Sequence, residues 1–379
     1  MSGPHFCDDM GPRIGVTCLM TADQRSTHYR QGRHVMSIQI DSFRKAVALE
    51  EVERVPAIPT VSAWVARFSG IPLKTLIYDA EAMVKAQIDA QKAVGHDAFF
   101  AYIDPLYIPE AFGCSIGFLS SGAADAVPLG LQSTADVDAL VTPDVRRDGR
   151  LPLMVSVAEQ LVNAPSREVP VLSLVEGPFT NCARMLGTER MMRAVMKNKA
   201  LVERLLDKVE ELLSQFGRAL EEVGVDGLII ADPVGSSTMV SRKVYGEMVL
   251  PHLQRFIRSL KIPVILHVCG DTDPILDMMA ETGAKILSLD QCMDLSKAKE
   301  KLAGRCGIGG NVDPINALLL GTVEDVKRET LKCLQQGGKR GYVLMAGCAV
   351  PPRTPIENLR VMIETAKQSH TEITESGGD

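Results

Sequence analysis

Short apolar runs alternate with long amphipathic stretches along most of this chain, from about residue 55 onwards. We predict strands at residues 57–60, 98–103, 169–176, 227–232, 264–269, 286–290, 306–311 and 342–346. The predicted helices span residues 79–94, 188–197, 199–223, 239–259, 273–282, 295–302, 323–336 and 355–369. Because strands that alternate with helices form parallel sheets, the pattern favours an α/β fold of the (β/α)8 TIM-barrel type. An open, doubly wound sheet is the alternative, but no glycine-rich dinucleotide or phosphate loop follows a predicted strand.

The chain divides into an N-terminal extension and one large domain, which contains an excursion. The 379 residues are 46% hydrophobic, which is enough for a single large core. Residues 1–35 are polar and aperiodic, so we predict an N-terminal extension followed by a barrel domain over residues 36–379. Residues 120–150 are rich in Ala, Gly, Asp and Pro. They predict a long excursion that covers a pocket rather than a linker.

Charge and cysteine usage exclude several classes of function. The formal net charge of −6 gives no electrostatic reason to expect nucleic acid or an anionic membrane as a partner. No apolar run reaches the length of about 20 residues that a membrane-spanning helix needs, and residues 1–35 lack the apolar segment of a secretion signal. The nine cysteines are scattered, so we expect them to be reduced. These features predict a cytoplasmic protein.

Polar residues stand at the carboxyl ends of six consecutive predicted strands. They are Glu176, Asp232, the pair His267 and Cys269, Asp290, the pair Asn311 and Asp313, and Cys348. In a barrel all these ends converge on one mouth, where such folds carry their chemistry. Burying a polar group costs free energy unless it is paired. Packing alone is therefore a poor explanation for six such ends, and we expect a functional site there.

The sequence PVILHVCGDTDP places an imidazole and a thiol two residues apart at the end of a buried strand. Residues i and i+2 of a strand point to the same face, so His267 and Cys269 project together. Imidazole and thiolate favour zinc, and Cys348 is the best third candidate. The fourth position could hold water, a substrate or the carboxylate of Glu176. Three protein ligands and one exchangeable position are typical of catalytic zinc.

Simpler interpretations compete with each of these assignments. A buried cysteine such as Cys348 is common in cores without any metal. Asp232 and Asp290 could serve as helix N-caps, which is a frequent role of aspartate in βα loops. Tyr102 and Asp104 could line the mouth or only cap the second βα unit. Each alternative stays open on the sequence alone.

Three motifs resemble the uroporphyrinogen decarboxylase superfamily, and most closely its corrinoid-dependent methyltransferase branch. They are H-x-C-G from His267, G-N-V-D-P from Gly310, and G-C-x-V-P-P-x-T-P-x-E-N from Gly347, within a resemblance over residues 40–370. The resemblance implies a TIM barrel with zinc held by His267, Cys269 and Cys348, and Glu176 as a further contact or neighbour. The decarboxylases themselves carry an arginine-rich segment near the start, where this chain has IPTVSAWVARFSG.

The resemblance also implies transfer of a methyl group to or from cobalamin. The chain has no D-x-H-x-x-G segment of its own, so the cobalamin would arrive on a partner corrinoid protein. We expect Glu176 and Asp232 to take part in catalysis, and Tyr102, Asp104, Asp290, Asn311 and Asp313 to shape the substrate or corrin-facing pocket. The favoured reaction is demethylation of a small substrate such as a methyl ether, with cob(I)alamin as acceptor. Methyl transfer from methylcobalamin to a thiol such as coenzyme M is the first alternative. A metal-free decarboxylase-like enzyme or a tetrapyrrole-binding protein is the second.

Overall fold

A computed structural model of the chain describes residues 37–118, 124–165 and 167–375, with side chains up to residue 369. Within these residues the strands are β1 (Phe99–Ala101), β2 (Ser115–Phe118), β3 (Ala124–Val127), β4 (Val171–Glu176), β5 (Gly227–Ala231), β6 (Val264–Val268), β7 (Ile286–Leu289), β8 (Gly307–Val312) and β9 (Tyr342–Ala346). Seven of them form one parallel sheet in the order β1-β4-β5-β6-β7-β8-β9, and β2 and β3 form an antiparallel hairpin. The predicted TIM-barrel fold is confirmed.

Helices connect the strands and cover the outside of the barrel. They are α1 (Ile38–Val47), α2 (Ala63–Ser69), α3 (Leu73–Leu76), α4 (Ala80–Val94), α5 (Tyr107–Ala111), α6 (Thr134–Ala139), α7 (Leu151–Val162), α8 (Pro178–Leu186), α9 (Thr188–Lys197), α10 (Lys199–Val223), α11 (Arg242–Val244), α12 (Leu250–Arg258), α13 (Leu276–Glu281), α14 (Leu295–Leu302), α15 (Val323–Gly337) and α16 (Ile356–Glu375). No helix among the described residues is both long enough and apolar enough to cross a membrane.

Local signals in the sequence set the ends of the longer helices. The side chain of Asp79 accepts a hydrogen bond from Ala82 N at the start of α4, and Asn198 caps α10 in the same way. Both helices end at a glycine in the left-handed conformation, Gly95 with φ 82° and Gly224 with φ 88°. These caps explain why the predicted spans of both helices agree with the observed ones.

A segment around Ala57 closes the barrel between β9 and β1. Ala57 forms a parallel bridge with Leu344 of β9, and Ile58 N donates to Leu344 O at 2.8 Å. On the other side, Asp97 N donates to Ala57 O at 2.9 Å, and the Asp97 carboxylate accepts from Ala57 N at 2.9 Å. The strand predicted at residues 57–60 is thus a short bridging segment, in which the Asp97 carboxylate replaces part of a strand ladder.

The register of four neighbouring strands places three polar side chains and one alanine at the same height in the barrel. Glu176 of β4 pairs with Ala231 of β5, Ala231 pairs with His267 of β6, and His267 pairs with Ser288 of β7. Paired residues of parallel strands point to the same face of the sheet. The four residues therefore form one layer near the carboxyl ends of the strands.

Several predicted boundaries differ from the structure. The excursion at residues 120–150 contains β3 and α6, and its residue Leu129 is tied to α8 by a hydrogen bond from its N to Met185 O at 2.7 Å. The single helix predicted at residues 239–259 is divided into α11, a π-helical turn and α12. The predicted N-terminal extension, residues 1–35, lies outside the described residues.

We expect Asp97→Ala to lower the free energy of unfolding by about 3 kcal/mol or more. The variant removes the buried ion pair of Asp97 with Arg54, whose atoms lie 2.8 Å apart, together with the bond to Ala57 that closes the barrel. Asp89→Ala is the matched control, because its pair with Lys85 is exposed and contributes less than about 1 kcal/mol. Denaturant unfolding followed by circular dichroism measures both, and equal midpoints would contradict the prediction.

Candidate metal centre and active site

Three donor atoms from two distant parts of the chain meet at the carboxyl ends of the strands. His267 Nε2 lies 3.2 Å from Cys269 Sγ, and Cys269 Sγ lies 3.7 Å from Cys348 Sγ. One ligand atom from each of the three residues lies within 4.8 Å of the other two. The two sulfurs are not bonded, because a disulfide has an S–S distance of about 2.05 Å. The predicted set His267, Cys269 and Cys348 is thus brought together.

Ser288 orients the imidazole of His267. His267 Nδ1 lies 3.2 Å from the backbone oxygen of Ser288 and 3.1 Å from its Oγ. A carbonyl oxygen can only accept, so this contact assigns the proton to Nδ1. The lone pair of Nε2 then points towards the two sulfurs. A hydrogen-bonded Nδ1 with a free Nε2 is the arrangement that metal-binding histidines use.

The thiols of Cys269 and Cys348 differ in how readily they lose a proton. A hydrogen bond from Cys269 lowers the pKa of the Cys348 thiol. The same hydrogen bond raises the pKa of the Cys269 thiol, and burial and the charge of Asp290 add to that shift. Cys348 is therefore the thiol that loses its proton more readily, and a cation between the sulfurs would displace the proton from Cys269 as well.

The donor set fits zinc in type and spacing. Two sulfurs bound to one tetrahedral zinc at about 2.3 Å each lie about 3.8 Å apart, and the observed separation is 3.7 Å. Imidazole nitrogen and thiolate sulfur are the ligands that zinc prefers. Three ligands leave a fourth position for an exchangeable group. His267, Cys269 and Cys348 are thus the residues that could hold the metal.

A cavity of about 120 Å³ opens beside the three donors. Its polar lining residues, apart from the donors, are Thr60, Ser62, Tyr102, Glu176 and Ser288. Its apolar lining residues are Leu174, Ile229, Ala231, Pro233, Met345, Ala346 and Ala349. Of the residues predicted from the sequence, Tyr102 and Glu176 thus join the three donors at one cavity. The volume suits a molecule of a few non-hydrogen atoms, since a cavity of about 150 Å³ holds benzene.

Glu176 is held by an arginine rather than by the donors. Its two carboxylate oxygens accept from Arg184 of α8, Oε1 from Nη2 at 2.7 Å and Oε2 from Nε at 2.8 Å. Nη1 of Arg184 reaches Asp125 of the β2–β3 hairpin at 3.2 Å. Burial raises the pKa of Glu176, and Arg184 opposes that shift. The bidentate pair fixes the carboxylate at the cavity wall.

Three other predicted residues do not line the cavity. Asp104 is buried in an ion pair with Arg150. Asp232 is fully buried and accepts from Thr180 N at 2.8 Å at the start of α8, and burial raises its pKa to about 6. The Asp290 carboxylate accepts from Gly270 N at 2.8 Å and from Cys292 N at 3.1 Å. Asp232 and Asp290 thus brace loops that follow the strands, but neither side chain caps the helix after its own strand: Asp232 makes no cap hydrogen bond at Pro233–Gly235, and Asp294 caps α14.

Asn311 and Asp313 line a different cavity. The amide of Asn311 donates to Asp290 O at 2.9 Å and to Met293 O at 2.7 Å. Asp313 caps the turn at Pro314–Leu319. Both residues line a polar groove of about 550 Å³ beside α15, apart from the three donors. The predicted substrate-binding role of these two residues remains a prediction.

Comparison with known proteins identifies the family. Residues 39–369 match the uroporphyrinogen decarboxylase (URO-D) family. The chain belongs to this family.

Similarity to individual proteins narrows the class of reaction. The chain is 27% identical over 284 residues to the methylcobamide:CoM methyltransferase MtaA of Methanosarcina barkeri, which covers 75% of this chain and 83% of that protein. It is also 27% identical over 360 residues to the uroporphyrinogen decarboxylase of Chlorobium limicola, covering 86% and 97%. A solved methyltransferase from Methanosarcina mazei superposes with a TM-score of 0.82 at 26% identity, covering 88% of this chain and 99% of that one. The prediction of a methyltransferase of this superfamily is confirmed.

Sequence reasoning missed two residues that shape this URO-D family site. Ser288 carries a usable signal, because it is the one hydroxyl inside the apolar run ILSLD of β7. Arg184 carries no comparable signal in the sequence. It lies eight positions after Glu176 on α8, a helix that the hydrophobic pattern did not reveal.

We expect Arg184→Met to lower the free energy of unfolding at neutral pH by about 3 kcal/mol, because a buried carboxylate would lose its counter-charge. A carboxyl with a raised pKa in the folded state loses stability as the pH rises, so the cost should shrink as the pH falls and Glu176 becomes protonated. Unfolding measured from pH 4 to pH 8 tests this.

Two further variants separate the Arg184 pair from the surface contact. Adding Glu176→Gln to Arg184→Met should recover most of the loss, since no unpaired charge remains. Asp125→Ala should cost less than about 1 kcal/mol, because Asp125 is 65% exposed. A loss from Arg184→Met that is the same at every pH would contradict this account.

Proposed function

We propose that this chain is a zinc-dependent methyltransferase that moves a methyl group from a small methylated substrate, such as a methyl ether, to cob(I)alamin. The observation that carries the proposal is the set of one imidazole and two sulfurs within 4.8 Å at the mouth of the barrel. The cavity beside it and the similarity to corrinoid methyltransferases support the same reaction.

The residues around the cavity would have different roles in this reaction. His267, Cys269 and Cys348 would hold zinc, with Ser288 keeping His267 Nδ1 protonated and Nε2 free. Zinc bound there supplies Lewis acidity, which draws electrons from a leaving oxygen or keeps a thiol deprotonated. The apolar wall of the cavity excludes water from the reacting end of the substrate.

The transfer is a displacement at the methyl carbon. The bond between the methyl carbon and the ether oxygen breaks, and the carbon bonds to the cobalt of cob(I)alamin, which is the nucleophile. The electron pair of the broken bond stays on the oxygen, which takes a proton from solvent. The chain has no D-x-H-x-x-G segment. We therefore infer that cobalamin arrives on a corrinoid partner protein that docks over the mouth.

One observation favours a second candidate function, the transfer of methyl from methylcobalamin to a thiol. The relative in Methanosarcina barkeri is named a methylcobamide:CoM methyltransferase. The same donor set would serve that reaction, because zinc keeps a thiol as a thiolate.

We also propose a cytoplasmic location, which the seven free cysteines among the described residues support.

Metal content tests the ligand assignment. We expect the wild-type chain to retain about one zinc per chain after dialysis, and Cys348→Ala to lose it. Cys306→Ala is the matched control. Cys306 is buried and directly precedes β8, so it lies at the amino end of that strand, and it belongs to no donor set among the described residues. Retention of stoichiometric zinc by Cys348→Ala, or its absence from the wild type, would refute the assignment.

The visible spectrum of cobalamin tests the reaction and its direction. Incubation of the zinc-loaded chain with cob(I)alamin and small methyl ethers should form methylcobalamin. Cys348→Ala should lose this activity, and Cys306→Ala should keep it. Consumption of methylcobalamin on addition of a thiol, without any reaction of the ethers, would instead support the second candidate. No reaction in either direction would contradict methyl transfer.

A further inference from the structure

The cavity beside the donors carries no free positive charge among the residues that the structure describes. None of its described lining residues is a lysine or an arginine. Arg184 is the nearby cation, and Glu176 and Asp125 both engage its guanidinium. Its charge is therefore already compensated, and it does not line the cavity.

Two carboxylates lie at or near the cavity. Glu176 lines the cavity with its charge already paired to Arg184, and Asp290 follows the end of β7, next to the strand that carries His267. The Asp290 carboxylate is bound by two backbone N–H groups, and no cationic side chain pairs with it in the described part of the chain. Two sulfurs add further negative charge, which a bound divalent cation would only balance. An anionic ligand would thus find no counter-charge in this region, and the Asp290 carboxylate would oppose its entry.

The cavity is also small and largely apolar. Its volume of about 120 Å³ lies below the range of about 300–1,000 Å³ that is usual for ligand pockets. Leu174, Ile229 and Met345 contribute hydrocarbon to its wall. Burying an ionised group against such a wall costs free energy unless the group is paired.

We propose that this cavity selects substrates whose reacting end is small and uncharged, and that it excludes thiols bearing a carboxylate or sulfonate. The inference rests on the proposed function for its zinc and its methyl transfer. It deepens that function by assigning the chemical class of the substrate. The lining, rather than the three donors, determines the selection.

Two isosteric thiols test the selection without any cobalamin. In 3-mercaptopropionamide and 3-mercaptopropionate, a neutral amide replaces an anionic carboxylate of the same size. Isothermal titration calorimetry of the zinc-loaded chain should show the amide binding at least tenfold more tightly. In the cobalt-substituted chain, the visible absorption should change at a correspondingly lower concentration of the amide.

A single substitution should reverse the preference. Thr60 lines the cavity, is half-buried, and contributes only its backbone oxygen to a hydrogen bond, from Val350 N. Thr60→Lys places a cation at the wall and should tighten binding of the carboxylate by at least tenfold. Thr60→Met adds similar length without charge and should leave the order of the two thiols unchanged.

Equal or tighter binding of the carboxylate by the wild type would overturn the inference, as would failure of the amide to bind. An equal effect of Thr60→Lys and Thr60→Met would overturn it as well. These outcomes are distinct from failure of the proposed function, which the methyl transfer and zinc measurements report. A chain that prefers the amide but transfers no methyl group would keep the selection and refute the reaction.

Discussion

The common register of β4, β5, β6 and β7 is the constraint on which the site depends. It aligns Glu176, Ala231, His267 and Ser288 in one layer across four strands. A shift of one residue in β6 would turn both His267 and Cys269 away from the barrel interior, because side chains alternate along a strand. The register therefore brings an imidazole, its hydroxyl partner and a carboxylate to the same height in the barrel. No local sequence signal could do this.

Charge compensation is the second requirement of the site. Three acids near the mouth are compensated in different ways: Glu176 pairs with Arg184, Asp104 pairs with Arg150, and Asp290 accepts backbone hydrogen bonds. These arrangements leave the donors as the place where a cation is most favoured. They also leave the adjoining cavity without a cation that could attract an anionic substrate.

The barrel was predictable because its repeating pattern is strong, and the misses have physical causes. The helix α7 is rich in apolar residues throughout, LPLMVSVAEQLV, so its pattern does not distinguish a buried helix from a buried strand. The strands β2 and β3 lack a buried face of clear alternation, since they form a hairpin outside the main sheet. The segment at residues 57–60 was predicted as a strand, but it forms only a single bridge to β9, and its other contact depends on the Asp97 carboxylate, which lies 40 residues away in sequence.

The sequence by itself determined which groups stand at the strand ends and that His267 and Cys269 share a face, because a strand alternates with a fixed period of two. It also indicated Cys348 as a third donor. Only the tertiary structure brought Cys348 Sγ to 3.7 Å from Cys269 Sγ across 79 residues of chain. It alone also placed Arg184 where it donates hydrogen bonds to both carboxylate oxygens of Glu176. Those distances follow from closure of the barrel and from the packing of α8. Both are non-local, so no window of the sequence contains them.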